Sequence, residues 1–246
     1  MESSFREFGS VLADHGIDPT MWLSRASHTF APIDFRGKTV LDVGSGAGWG
    51  SFYAAAAGAK RVVGLEPEAQ GSRGAMLDTA ALIRDALDLR ETVEFVPTPL
   101  QDAHLSEPFD VVMMINSINH LDEASCIVLD KNDEARAEYT KLLSPVTDLC
   151  RPGGKLLITD CTNRNLFGDI GIRSPLAPTI EWEKHQPAHV WADLFSSMGF
   201  ERPEIAWTPH PRLGRLGKLL AMHRWLAYLS LSHFRLTLTR SAAPVK

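Results

Sequence analysis

One run constrains this chain more than any other: Val40-Leu41-Asp42-Val43-Gly44-Ser45-Gly46-Ala47-Gly48-Trp49-Gly50, where an apolar strand passes straight into a glycine-rich turn and then a helix. Glycines in such a turn admit positive φ and let a ligand approach the backbone closely. Eighteen residues beyond Gly48, the next apolar run, Val62-Val63-Gly64-Leu65, ends in Glu66. A carboxylate at that strand end is placed to accept hydrogen bonds from both ribose hydroxyls of an adenosine. The glycine spacing argues against a dinucleotide. In the pattern GxGxxG the third glycine falls on Trp49 when counted from Gly44 and on Ser51 when counted from Gly46. Asp42, two places before the first glycine, would add negative charge beside a pyrophosphate. It suits a ligand that carries an ammonium and a sulfonium.

Around this run, short apolar stretches alternate with helical ones, the pattern of a parallel sheet wrapped by helices. Strands are expected at Thr39 to Val43, Arg61 to Leu65, Val93 to Val96, Phe109 to Ile115 and Lys155 to Thr159. Helices are expected at Trp49 to Ala57, ended by Gly58, at Ala75 to Leu89, and at Glu134 to Leu149 with an interruption at Pro145. Phe5, Phe8, Val11 and Leu12 recur at helical spacing, and Asp18-Pro19 reads as an N-cap followed by proline at N1, so the first 35 residues form a two-helix cap. After Asp160 the alternation stops, and Cys161 to Pro187 has no clear period. A long irregular run inside a compact domain is more often functional than accidental. A helix at Ala188 to Met198 follows, then strands at Glu204 to Thr208 and His233 to Arg240 around an apolar and basic helix near Leu213 to Leu231.

The simplest organisation is one domain over 1–246: a helical cap (1–37), a cofactor-binding core (38–160) and an acceptor-side lid with the last strands (161–246). A net charge of −5 and a pI near 6.0 give no general attraction to phosphate backbones, so nucleic acid is not the expected partner. Cys126, Cys150 and Cys161 suggest neither a disulfide framework nor a zinc site, and no run is long and apolar enough to span a membrane. With no signal-peptide pattern at the first residues, a cytoplasmic protein is expected.

Asp42-x-Gly44-x-Gly46-x-Gly48 followed by Glu66 resembles the S-adenosylmethionine site of the class I methyltransferases. The resemblance continues through Gln101-Asp102-Ala103 after the third strand, through Phe109-Asp110-Val111-Val112 to His120-Leu121 around the fourth, and through Leu149-Cys150-Arg151-Pro152-Gly153-Gly154-Lys155-Leu156 into the fifth. It covers roughly residues 38 to 160, in the family's order. It implies an α/β fold: a Rossmann-like, doubly wound, mostly parallel seven-stranded sheet, with the helical cap in front and a lid or insert after strand five. It also implies S-adenosyl-L-methionine as cofactor. By position, Asp42, Gly44, Ser45 and Gly46 would line the methionine part, Glu66 the ribose, Asp102 and Ala103 the adenine, and Asn116 the methyl donor. Gly48 and Gly50 serve either helix packing or contact.

Methyl transfer is an in-line displacement at an activated carbon, so alignment supplies much of the rate, and a hydroxyl acceptor gains further from a general base. The candidate bases are His120, just beyond strand four, and His185, in Glu181-Trp182-Glu183-Lys184-His185-Gln186. Asn119, Glu181 and Trp182 are candidate acceptor-binding residues, since a tryptophan among carboxylates suits a polar ring such as a sugar. No metal is expected, although Asp122 and Asp160 lie near strands four and five. The expected activity is methylation of a small polar acceptor, most simply O-methylation of a sugar, glycan precursor or secondary metabolite. Two rival readings stand beside it. The basic, apolar stretch from Arg212 through Tyr228 suggests a membrane surface and a lipid or quinone acceptor, and a non-catalytic S-adenosylmethionine-binding regulator would carry the same cofactor residues.

Overall fold

A computed structural model describes residues 2–67, 75–175, 177–208, 214–221, 223–229 and 232–242. Seven strands form one sheet in the order β3-β2-β1-β4-β5-β7-β6: β1 Thr39–Val43, β2 Arg61–Leu65, β3 Val93–Val96, β4 Phe109–Ile115, β5 Cys150–Asp160, β6 Phe200–Trp207 and β7 Phe234–Arg240. The first five pair in parallel, and β7 runs antiparallel between β5 and β6. This is the doubly wound, Rossmann-like arrangement expected from the sequence. Its strand order reverses between β1 and β4, so the connections leave in opposite directions and open a crevice at the carboxyl ends of these two strands.

The period of two along a strand assigns each side chain to a layer. In β1, Leu41 and Val43 join the core on one face with Tyr139, Trp191 and Phe195, whereas Val40 joins Phe8, Phe52 and Ala54 on the other. Asp42 therefore points to the same side as Val40, toward α3 (Trp49–Ala56). The helices over that face include α1 (Glu2–Asp14) and α2 (Pro19–Thr29), the latter N-capped by Asp18, whose side chain accepts from Met21 N–H at 2.9 Å. Aromatic contacts fasten this cap: Phe8 meets Trp22 edge-on at 5.2 Å, and Phe30 stacks on Tyr53 at 4.5 Å. On the same side α4 (Met76–Ala86) covers β3. The opposite face is covered by α5 (Glu123–Val128), α6 (Asp133–Leu149) and α8 (Ala188–Ser197), with the short α7 (Leu166–Asp169) lying between β5 and α8.

Several elements depart from the sequence expectation. Pro145 does not interrupt α6. Proline removes the N–H that would bond the Lys141 carbonyl, and the Ser144 hydroxyl donates to that carbonyl instead, at 2.8 Å. Strand β5 begins at Cys150 rather than Lys155, because Arg151 to Gly154 form a bulge opposite Asp110, and β6 begins at Phe200, four residues early. The single helix expected near Leu213 to Leu231 is two short ones, α9 (Gly214–Leu220) and α10 (Arg224–Ala227), with His223 capping the second; Leu213, Met222, Ser230 and Leu231 lie outside the described residues.

Gly48, the N-cap of α3, has φ +82°, and a Cβ there would stand 2.6 Å from Phe95 Cζ and 2.8 Å from Phe52. Its role is close packing of helix on sheet. Gly48→Ala is expected to cost about 1–3 kcal/mol of stability through strain and overpacking, read as a lower denaturation midpoint; an unchanged midpoint would contradict this packing role.

Candidate functional site

The glycine turn is fixed from both sides. The N–H groups of Gly44 and Ser45 donate to the Leu65 carbonyl at 2.8 and 3.0 Å, which ties the turn to the end of β2. On the other side, Ser117 donates to the Val43 carbonyl at 2.6 Å, and a Cβ on Gly44 would lie 2.5 Å from the Ser117 Cβ. Only glycine allows β1 and the end of β4 to approach this closely. Gly46 differs: a Cβ there would meet nothing within 4 Å, and its N–H donates to Glu66 Oε2 at 2.8 Å. The turn thus presents an open backbone edge beside a buried carboxylate.

Asp42 is fully buried, and its Oδ2 accepts from Ser51 of α3 at 2.7 Å. Among the described residues its Oδ1 has no hydrogen-bond partner. Burial pushes its pKa up to about 7; the Ser51 bonds pull it back, and the nearby Glu66 charge adds to the rise. An orphaned carboxylate oxygen of this kind is a ready acceptor for a cationic group. At the end of β4, Asn116 adopts φ +53° and donates its N–H to the Thr159 carbonyl at 2.8 Å.

Two cavities meet at Gly44 and Asn116, at the topological switch. One, of about 430 Å³, runs from Asp42 and Gly44 to Gly46 toward Trp22, Arg25 and His233. The other, of about 760 Å³, is lined by Glu66, Thr98 to Leu100, Ser117, His120 and Glu181. Asp42, Gly44, Ser45, Gly46, Glu66 and Asn116 are therefore brought together as the sequence placed them. Asp102 and Ala103 are not among the residues lining either cavity: Thr98, Pro99 and Leu100, shortly before them, line the wall with Glu66, while Asp102 is exposed and Ala103 packs on the core.

The candidate acceptor-side residues separate. His120 is 58% exposed at its side chain, lines the larger cavity, and holds its Nδ1 2.9 Å from Glu123. Glu123 also pairs with Lys184 at 2.7 Å, and Lys184 with Glu181 at 2.8 Å, so an ionic strap crosses the rim from α5 to the segment after β5. Glu181 faces this cavity, but Trp182 lines a different one of about 440 Å³ with Asn163, Arg164 and Arg173. His185 lines neither of the two meeting cavities; it is 13% exposed at its side chain, and its Nδ1 lies 2.9 Å from Asp160, which anchors the segment to the end of β5. Asn119 is buried, and among the described residues its carboxamide has no partner. Asp122 caps α5 through the Ser125 N–H at 3.1 Å.

Sequence reasoning missed the residues that close the smaller cavity: Trp22, Arg25, Thr29 and Phe30 of α2 with its C-cap, and His233. His233 reads in the sequence only as the start of a strand. The structure gives that start a meaning, since an antiparallel strand beside β5 begins where β5 ends, and the His233 Nε2 lies 2.8 Å from Asn116 Oδ1.

Residues 21–220 match a family model described as a methyltransferase domain. The chain is 31% identical over 128 residues to a tRNA U34 carboxymethyltransferase of Shewanella amazonensis, covering 50% of this chain and 37% of that protein. It is 37% identical over 79 residues to the protein arginine N-methyltransferase PRMT10 of Arabidopsis thaliana, covering 32% of this chain and 19% of that protein. The matched stretches are thus well under half the length of either relative. Among solved structures, the fold is similar to an S-adenosylmethionine-dependent methyltransferase described from Listeria monocytogenes (TM-score 0.60, 15% identity, 89% of this chain and 99% of that one). It is also similar to the [4+2]-cyclase SpnF (TM-score 0.59, 16% identity, 92% and 82%) and to the magnesium protoporphyrin IX methyltransferase of Synechocystis (TM-score 0.52, 16% identity, 89% and 77%).

Because a cation docks on Asp42 only while the carboxylate is ionised, affinity for a cationic ligand is expected to fall as pH drops below about 7, by at most about tenfold per pH unit. Calorimetric titration from pH 8 to pH 5.5 reads this directly. Asp42→Asn should flatten the profile, and a steep profile in that variant would move the titration to another group.

Proposed function

The chain belongs to the methyltransferase-domain family, and on that premise we propose that it transfers a methyl group from S-adenosylmethionine to a hydroxyl of a small polar acceptor. The observation that carries this reading is the pairing of Asp42 and Glu66 around the open Gly46 edge, at the point where two cavities meet. The residues present fit the cofactor. Glu66, at the end of β2, faces the larger cavity as a ribose-binding carboxylate should, with Thr98 to Leu100 beside it for the base. The orphaned Asp42 Oδ1 suits the ammonium end, and the open space at Gly46 leaves room for the ligand along the turn. S-adenosylmethionine supplies a methyl group already activated by sulfonium.

The protein then has to orient the acceptor and take its proton. Asn116 stands at the junction, where its carboxamide can align a hydroxyl without acting as a base. We assign the proton to His120, which shares a cavity with Asn116 and whose Nδ1 is held by Glu123, leaving Nε2 free to accept. His185, committed to Asp160, is assigned to positioning the lid. The acceptor reading as a small molecule is supported by the size of the cavities and by the net charge of −5, which offers no footprint for nucleic acid.

A second reading has its own observation. Leu216, Leu219, Trp225 and Leu229 on and beside α9 and α10 are exposed, with Lys218 and Arg224 among them. That surface suits a lipid or quinone-type acceptor at a membrane interface. No helix among the described residues is long and apolar enough to cross a membrane.

Transfer of labelled methyl from S-adenosylmethionine into cell extract, separated into water-soluble, lipid and macromolecular pools, tests the acceptor class. Label in the water-soluble pool supports the first reading, and label in lipid supports the second. Glu66→Ala is expected to weaken S-adenosylhomocysteine binding by about 10- to 100-fold through lost charge-assisted hydrogen bonds. Unchanged affinity would remove Glu66 from the donor site. His120→Ala should slow turnover by about 10²- to 10⁴-fold with donor affinity retained, and a fully active variant would return the proton to another group.

A further inference from the structure

Arg25 is a half-buried charge that the proposed chemistry does not use. It projects from α2 into the smaller cavity, and burial lowers its pKa. The His233 ring lies beside it, with Nε2 3.3 Å from the guanidinium and 2.8 Å from Asn116 Oδ1. Among the described residues no Asp or Glu forms an ion pair with it. A guanidinium partly withdrawn from water beside an imidazole gains from an anion that completes it, and its planar fork matches a carboxylate.

Its position indicates which ligand brings that anion. Glu66 and the glycine turn sit over β1 and β2, whereas Arg25 reaches the other side of the switch point: it contacts His233 at the start of β7, His233 contacts Asn116 at the end of β4, and Thr159 of β5 lines the same cavity. Asp42 and the glycine turn line that cavity too, so it holds both signs of charge, and an anion is favoured beside Arg25 rather than beside Asp42. Trp22, Phe30 and Trp49 supply flat apolar walls to the same cavity. The first two are held in place by Phe8 and Tyr53 respectively.

We propose that Arg25, with His233 beside it, is the recognition site for a carboxylate on the methyl acceptor, and that Trp22, Phe30 and Trp49 receive the flat apolar body of that acid. This rests on the methyltransferase reading above and narrows its acceptor from polar to anionic. The donor's own amino-acid tail also carries a carboxylate, so the test separates the two sources.

The probes are S-adenosylhomocysteine, 5′-methylthioadenosine, which lacks the amino-acid tail, and the pair benzoate and benzamide, which differ in charge but hardly in shape. Each is titrated calorimetrically into the wild-type protein, Arg25→Gln and Arg25→Lys. With S-adenosylhomocysteine bound, benzoate is expected to bind the wild-type protein at least tenfold more tightly than benzamide. Arg25→Gln should erase that preference, Arg25→Lys should keep part of it, and S-adenosylhomocysteine affinity should change less than twofold in either variant. Equal binding of benzoate and benzamide, or no saturable binding of benzoate, overturns the proposal without reference to any variant. A tenfold loss of S-adenosylhomocysteine in Arg25→Gln with 5′-methylthioadenosine unchanged also overturns it, because Arg25 then holds the donor's tail. Should the wild-type protein bind no S-adenosylhomocysteine, the donor reading fails instead, and the benzoate preference is still read on the protein alone.

Discussion

A carboxylate inside a strand that is buried on both faces is the constraint on which the site depends. Strand alternation turns Asp42 toward α3, and the sheet and helix together exclude water from it. Ser51 satisfies one oxygen and leaves the other without a partner among the described residues. The raised pKa records the cost. As pH climbs from the ordinary carboxylate range through about 7, ionisation of Asp42 withdraws stability from the ligand-free fold. A cation at the orphaned oxygen would restore it, so stability and binding draw on the same group. The glycines around it follow from this arrangement, since a side chain at Gly50 would come within 3.2 Å of the Asp42 carboxylate and one at Gly44 would strike Ser117.

The site divides along the sheet. On one side of the strand-order reversal, β1 and β2 present the backbone edge and Glu66; on the other, β4, β5 and β7 present Asn116, Thr159 and His233. The first half uses backbone groups and short acidic side chains, which are fixed once the sheet forms. The second half is finished by side chains from α2 and from the irregular segment after β5. Under the proposed function, such a division lets acceptor specificity change while the donor half stays the same. It also agrees with the range of reactions named for proteins of this fold, among them a [4+2]-cyclase.

Legibility followed the same division. The first four strands lie where the sequence put them, because apolar β-branched runs bounded by turn residues leave little freedom in a sheet covered on both faces. Asp42, Gly46 and Glu66 were likewise readable, since their spacing is local to one strand-turn-helix unit and the next strand. Pro145 misled because the compensation is made by the hydroxyl of Ser144, a tertiary-independent detail that helix rules do not weigh. Arg25 and His233 were invisible for a different reason. They are 208 positions apart, and nothing in either neighbourhood announces the other. Trp182 and His185 share one short segment in the sequence, yet across a single 3₁₀ turn at Trp182–Lys184 the first lines a cavity while the second turns to Asp160 at the end of β5.

The packing of α1 and α2 has a consequence for how the protein comes into being. Phe8, Trp22 and Phe30 are made before the aromatic residues of α3 that they pack against, and Arg25 is made long before His233. Those aromatic faces meet their partners once α3 is made, before β2, whereas Arg25 meets His233 only when nearly the whole chain exists. Because long-range contacts carry the largest loop-closure entropy, the wall that Arg25 and His233 share closes across 208 positions of chain.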